Sequence, residues 1–149
     1  MDMVAVVDVA TSIAKWSDRY LTRVYTEHEL ECCEGAPDVR AAGLAARFAA
    51  KEAVVKLLRP TGARPDWRSI EVCRAPEGAC DIRLSGQARN LAVAAGIDDL
   101  AVSLTHEGLW AAAVVVATCT NPLANATRRG NGEIGSCRQI PQAGAESGG

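Results

Sequence analysis

Aromatic side chains are scarce in this chain, which has three tryptophans, two tyrosines and one phenylalanine in 149 residues. That excludes a stacking platform for single-stranded nucleic acid. Positive charge is no more abundant: 16 lysines and arginines stand against 18 acids, for a formal net charge of -2. A protein that coats nucleic acid or an anionic membrane by bulk charge is therefore excluded, and any basic site must be local. No apolar run is long enough to span a bilayer, and MDMVAVVDVA carries an acid where a secretory signal would carry Lys or Arg, so a soluble cytoplasmic protein is expected. Cys32 and Cys33 are adjacent and the other four cysteines lie far apart, with no CxxC or Cys/His metal spacing, which reads as reduced thiols. GxSxG, Walker and GxGxxG signatures are missing, so the common hydrolase, NTPase and dinucleotide readings have no support. There is no internal repeat.

What is present is a hydrophobic fraction of 48%, enough for one core without disulfide or metal staples. The chain divides into one domain over residues 1–120 and a tail over 121–149, where Gly, Asn, Ser, Gln and Pro accumulate and disorder is expected. Val4 to Val9 reads as a buried strand containing Asp8. Ile13, Trp16, Tyr20 and Val24 recur at helical spacing, which predicts a helix over about 10–23, bent or interrupted. Thr26 with Glu29 forms a capping-box signature for a short helix, stopped by Gly35 and Pro37. A long alanine-rich helix follows, from an N-cap at Asp38 to Leu58, ended by Pro60 and Gly62. Trp67–Arg74 and Cys80–Leu84 predict a hairpin, Ser85 caps a helix through Ala95, and Leu100–Thr105 with Trp110–Thr118 predicts a second strand pair around HEG. Strand, helices, two strands, helix, two strands is an α+β plan with helices packed on an antiparallel sheet.

Charge interrupts the long helix in the stretch FAAKEAVVK, Phe48 to Lys56. At ~100° per residue, Leu44, Phe48 and Val55 define an apolar arc, and Lys51 and Glu52 fall within ~60° of its centre on either side. Both charges then point toward the protein, and Lys56 shares the side of Glu52. The ordinary alternative is an i,i+4 Glu–Lys pair on a solvated face. Asp8 is a similar misfit, since a carboxylate in a valine-rich strand is costly to desolvate unless a cation meets it; its alternative is a cap for the following helix. Taken together, Asp8 and Glu52 could share a hard divalent cation. Ligation by a few oxygens suits Mg²⁺, which keeps waters and completes its shell with substrate phosphate, leaving Lys51 and Lys56 to neutralise that phosphate. A third cluster, Ser103 to Glu107 (SLTHE), gathers two hydroxyls and an imidazole at the last hairpin, though a histidine at a turn is ordinarily a surface residue.

These pieces resemble the holo-acyl-carrier-protein synthase type of 4'-phosphopantetheinyl transferase. VAVVDVATSI, RFAAKEAVVKLL and VSLTHEGLWAAAVVV carry the match in the family's order. RYLTRVYTEHEL, and WRSIEV followed by IRLSGQA, add to it, over roughly residues 3 to 118. The resemblance implies the phosphopantetheinyl transferase fold and transfer of the phosphopantetheine arm of coenzyme A to a serine of an apo acyl carrier protein, releasing adenosine 3',5'-bisphosphate. It implies that Asp8 and Glu52 hold Mg²⁺ on the pyrophosphate, and that Lys56, with Lys51 beside it, stabilises or protonates the leaving phosphate. His106, with Ser103 or Thr105, would contact the nucleotide end of coenzyme A, Gly62 would belong to the coenzyme loop, and Glu107 or a metal-bound water would be the base for the carrier serine. A homotrimer with sites between subunits is implied as well. The carrier is expected to be acidic, and Lys15, Arg19 and Arg23 recur at i, i+4 and i+8 as a docking stripe or an ordinary solvated face.

The sequence departs from the family pattern at several points. Glycines that commonly precede the metal aspartate are absent in AVVD, a basic residue soon after it is matched only approximately by Lys15, and the usual Gly-Thr-Gly becomes Arg59, Pro60, Thr61, Gly62. A carrier from polyketide or peptide biosynthesis fits as well as one from fatty-acid biosynthesis. Two readings without chemistry stand beside the enzyme: a coenzyme A or nucleotide-binding module, and a carrier-binding partner protein.

Overall fold

The computed structural model describes residues 1–75 and 78–119. The expected tail over 121–149 lies outside the described residues, as do two residues of the APEGA turn. Strand β1 (Asp2–Ala5) leads without a break into helix α1 (Val6–Val24), followed by α2 (Glu27–Glu31) and the long α3 (Pro37–Leu58). A 3-10 turn over Trp67–Ser69 enters the hairpin β2 (Ile70–Arg74) and β3 (Cys80–Leu84). Helix α4 (Gly86–Ala94) then precedes the longer hairpin β4 (Ile97–Glu107) and β5 (Trp110–Cys119). All pairings are antiparallel, in a three-stranded sheet of order β1-β5-β4 and a separate β2-β3 hairpin. This is the α+β plan read from the element order.

Helix α3 is the axle of the fold. Its buried positions include Ala41, Ala45, Ala46, Ala49, Ala50 and Ala53, so it is enclosed on most sides and lets its neighbours approach closely. Ala49 and Ala50 pack with Ala113 of β5 and Val72 of β2. Val54, Val55 and Leu58 meet Ile70, Ile82, Ala88 and Leu100, while Leu44 to Ala46 meet Val9, Leu21, Val24 and Tyr25. One helix therefore joins the sheet, the hairpin and the two N-terminal helices into a single core.

Several boundaries differ from the sequence reading. The valine run is strand only to Ala5: the helix begins at Val6, which places Asp8 in the first turn of α1 and exposed. An acid there complements the partial positive charge of a helix N-terminus, so Asp8 is not the desolvated strand carboxylate that the valine-rich run suggested. Interruption of α1 is real, and it falls at Ser17, whose φ of 45° and ψ of -131° break the helix into two segments. Pro37 does not stop α2 but opens α3, as its missing N–H permits at a first helical position, with Ala36 rather than Asp38 as N-cap. At the far end the left-handed residue is Arg59, φ 46°, whose N–H bonds the carbonyl of Val55; Pro60 and Gly62 lie beyond. Trp67–Ser69 is a 3-10 turn, not strand, with Asp66 accepting from the Arg68 N–H. The last hairpin is longer than expected because Gly108, at φ 54°, permits a two-residue turn, so the ladder continues through His106 and Glu107.

The capping box at Thr26 forms as read: Glu29 N–H donates to Thr26 Oγ1 (3.3 Å) and Thr26 N–H donates to Glu29 Oε2 (2.9 Å). Thr26 Oγ1 also donates to Glu71 Oε1 (2.7 Å), which ties α2 to β2. That bond favours the ionised form and holds the Glu71 carboxyl below its usual value. Because the folded-state value is depressed, the stabilisation is present above the unfolded carboxylate range and is lost as pH falls through the folded one. The urea midpoint of the parent should exceed that of Glu71→Gln most at neutral pH, and the gap should narrow as pH drops below about 4; a gap independent of pH would refute this.

Candidate functional site

The charges of FAAKEAVVK divide between the core and the surface. Lys51 is fully buried, and its ammonium lies 2.8 Å from Glu29 Oε2, also fully buried. It donates as well to the carbonyls of Trp67 (2.8 Å) and Ile70. Three donors thus meet three acceptors, with none left for a ligand. Burial pulls the Lys51 ammonium below its ordinary value and Glu29 pushes it back up. The expectation that Lys51 neutralises a phosphate is corrected: its inward direction was right, but its partners are the protein's own.

Glu52, the next residue, sits at the boundary with 19% of its side chain exposed, at 3.6 Å from the Arg64 guanidinium. Lys56 points outward, 57% exposed, and pairs at 2.9 Å with Asp2 on β1. Glu52 and Lys56 therefore share a side of α3, as the i,i+4 spacing requires. Asp8 is exposed in the first turn of α1. Val4 packs around Ala49 and Ala50 and Val9 around Leu44 to Ala46, so the segment between them runs along the middle of α3. The Val6 N–H donates to Leu109 O (2.9 Å), and Ala5, Trp110 and Glu107 stand in one row across the sheet. Glu107 is thus brought to the end of the sheet where α1 begins. Gly62 is exposed, and a Cβ there would meet nothing within 4 Å, so the loop after α3 is open.

The SLTHE residues divide. Thr105 and His106 line a cleft of about 360 Å³ together with Gly43, Arg47 and Arg74, whereas Ser103 lies opposite Val114 and does not line it. Arg47 was not singled out from the sequence. It is 95% buried, donates to the Gly43 carbonyl (3.2 Å) and keeps an Nε with no protein partner. A buried guanidinium with spare donors beside a second arginine and an imidazole can receive an anion. The signal was available: Arg47 opens RFAAKEAVVK and interrupts an alanine face just as Lys51 does. Five residues from Glu52, it points about 140° away around the helix. Within one chain, the acid side of α3 and the basic cleft are separated by the helix itself.

Among the described residues no group of three or more Asp, Glu, His or Cys gathers to hold a metal. Asp8 and Glu52 carry carboxylate oxygens, the donor chemistry that suits an ion taking most of its shell from water and substrate.

Residues 1–118 match the 4'-phosphopantetheinyl transferase superfamily. The chain belongs to this superfamily. Within the superfamily, it is 39% identical over 116 residues to the holo-[acyl-carrier-protein] synthase of Dehalococcoides mccartyi strain CBDB1, which covers 78% of this chain and 93% of that one. Identity to the enzyme of the same name from Chloroflexus aurantiacus is 42% over 129 residues, covering 78% and 94%. Helicobacter pylori holo-[acyl-carrier-protein] synthase, solved in complex with coenzyme A, superposes with a TM-score of 0.67 at 25% identity, over 78% of this chain and 96% of that one. The transferase-like fold expected from the motif order is thereby shown. Among the described residues no helix is long and apolar enough to cross a membrane.

The docking stripe takes a different form from the one expected. The break at Ser17 separates Lys15 from Arg19, so the three cations do not follow one helical line; Lys15 Nζ instead lies 5.0 Å from the ring centre of the exposed Trp16.

Removing the Lys51 ammonium strands the Glu29 carboxylate without solvent. Lys51→Met should lose about 3–5 kcal/mol of stability by urea denaturation at pH 7; a loss below 1 kcal/mol would contradict the buried pairing.

Proposed function

We infer that this chain is a holo-[acyl-carrier-protein] synthase: it transfers the 4'-phosphopantetheine arm of coenzyme A to a serine of an apo acyl carrier protein. The observation that carries this is the family match over residues 1–118; Asp8 in the first turn of α1, and Glu52 with Lys56 on one side of α3, are charges that such a reaction can use. In the reaction the serine oxygen forms a bond to the phosphorus bearing the pantetheine, and the bond from that phosphorus to the bridging oxygen breaks. Adenosine 3',5'-bisphosphate leaves with that oxygen. Such a displacement needs charge neutralisation and alignment more than covalent help from the protein.

The residues divide the work by position. Asp8 and Glu52 would hold Mg²⁺, which when bound supplies positive charge to the pyrophosphate. Lys56, exposed and paired with Asp2, would swing to the leaving phosphate as a charge or a proton donor. Glu107, near the start of α1, would accept the serine proton. Gly62 lies on the open loop by which the coenzyme arm would pass. Thr105 and His106, with Arg47 and Arg74, would receive the phosphate-rich nucleotide end, and Ser103, facing out of the sheet, would reach a ligand only from a neighbouring copy.

A homotrimer with sites between subunits makes sense of that division. One coenzyme A cannot pass through α3, so the acid side of one copy would face the basic cleft of the next. The outer face of the β1-β5-β4 sheet supports this reading, because Met3, Trp110, Val114 and Val116 are 44–59% exposed where an antiparallel sheet facing water would carry polar residues. The carrier would dock by Lys15, Arg19 and Arg23 through its acidic surface, in the cytoplasm, and from a fatty-acid, polyketide or peptide pathway.

Incubation with apo carrier protein, coenzyme A and Mg²⁺ should add one phosphopantetheine mass to the carrier, with Asp8→Ala and Glu52→Ala each slowing transfer at least ~100-fold. Co-refolding inactive Glu52→Gln with inactive His106→Ala should restore part of the activity if sites span two copies. No mass gain across several carriers would overturn the activity, and no complementation would overturn the shared site.

A further inference from the structure

We propose that Lys51 is a positioning residue for the transfer: its buried ammonium fixes the rotation and height of α3 and so aims Glu52, the residue that follows it. The proposal rests on the reading of Glu52 as a metal ligand. Much of α3's buried surface is alanine at 41, 45, 46, 49, 50 and 53. Alanine ridges are shallow, so packing alone gives such a helix little resistance to turning or sliding. Lys51 supplies what the alanines do not. Its acceptors come from three separate places: Glu29 on α2, the Trp67 carbonyl in the 3-10 turn and the Ile70 carbonyl at the start of β2.

Each acceptor is itself held. Glu29 Oε1 accepts the Val72 N–H (3.0 Å) and Oε2 accepts the Thr26 N–H, so the carboxylate cannot follow a moving lysine. Ile70 is in register opposite Leu84. A tetrahedral ammonium with three fixed acceptors has one position. With side chains, a helix has a radius of about 5–6 Å, so a 20° rotation would displace the Glu52 carboxylate by about 2 Å. Displacements of 1 Å at a reacting centre can cost about 100-fold in rate.

A merely stabilising pair makes a different forecast, because a buried ion pair can often be replaced by apolar side chains with little loss of stability. The test is the Glu29→Met/Lys51→Met double variant, compared with the parent, Glu52→Gln and the core variant Ile82→Val. Mn²⁺ binding in the presence of coenzyme A is followed by the electron paramagnetic resonance of the free ion, alongside steady-state transfer. The double variant should weaken Mn²⁺ binding and lower kcat at least ~10-fold while the carrier KM stays within about twofold. Ile82→Val should leave both at parent values. Parent-like Mn²⁺ binding and kcat in the double variant, with Glu52→Gln impaired, would overturn the positioning role. Unchanged Mn²⁺ binding in Glu52→Gln would instead overturn the reading of Glu52. Should the double variant not fold, Glu29→Gln carries the same measurement and the same outcomes.

Discussion

An ammonium removed from water must be met by acceptors, and the way Lys51 is met determines how the rest of the molecule is arranged. Its partners belong to α2, the 3-10 turn and β2, so one side chain joins α3 to three other elements. Glu29 completes the joint by serving the capping box, the Val72 amide and the ammonium together. Such a pair contributes little net stability relative to apolar packing, since desolvating two charges offsets most of their attraction. What it supplies is registry, which a helix faced with alanine needs.

From that registry follows the division of α3 into two working sides. Lys56 pairs with Asp2 of β1 and Glu52 lies near Arg64 of the loop after α3, whereas Arg47 turns into the cleft lined by Thr105 and His106. A coenzyme with a pyrophosphate in its middle and a phosphorylated nucleotide at one end needs both kinds of surface. Within one chain Glu52 and Arg47 lie about 140° apart around α3, and the outer face of the sheet carries exposed apolar side chains.

Much of this was legible in the sequence. The capping box of Thr26 and Glu29, the span of α3, the bounds of β3 and the helix after Ser85 follow from local chemistry, and the structure places them close to where the spacing did. Asp8 was misplaced because valines suit a strand locally, while pairing with β5 ends at Ala5 and leaves the rest of the run to form helix. The segment over about 10–23 gave only the hint of an interruption, since nothing in a serine announces the positive φ found at Ser17. Lys51 and Glu52 were seen as charges on the wrong face, but periodicity gives direction and not partner. The carboxylate of Glu29, 22 positions away, was invisible to it. Arg47 was missed for a related reason: it lies outside the arc that Leu44, Phe48 and Val55 define.

Lys51 and Glu52 are adjacent, yet Lys51 is buried against the protein's own acceptors while Glu52 sits at the surface boundary. The most direct test is to observe the Lys51 side-chain ammonium by ¹⁵N nuclear magnetic resonance in the parent protein. A slowly exchanging ammonium signal that stays unchanged when coenzyme A and Mg²⁺ are added is the predicted result. A signal in fast exchange with water, or one that shifts on ligand addition as a phosphate-bound lysine would, would contradict the account.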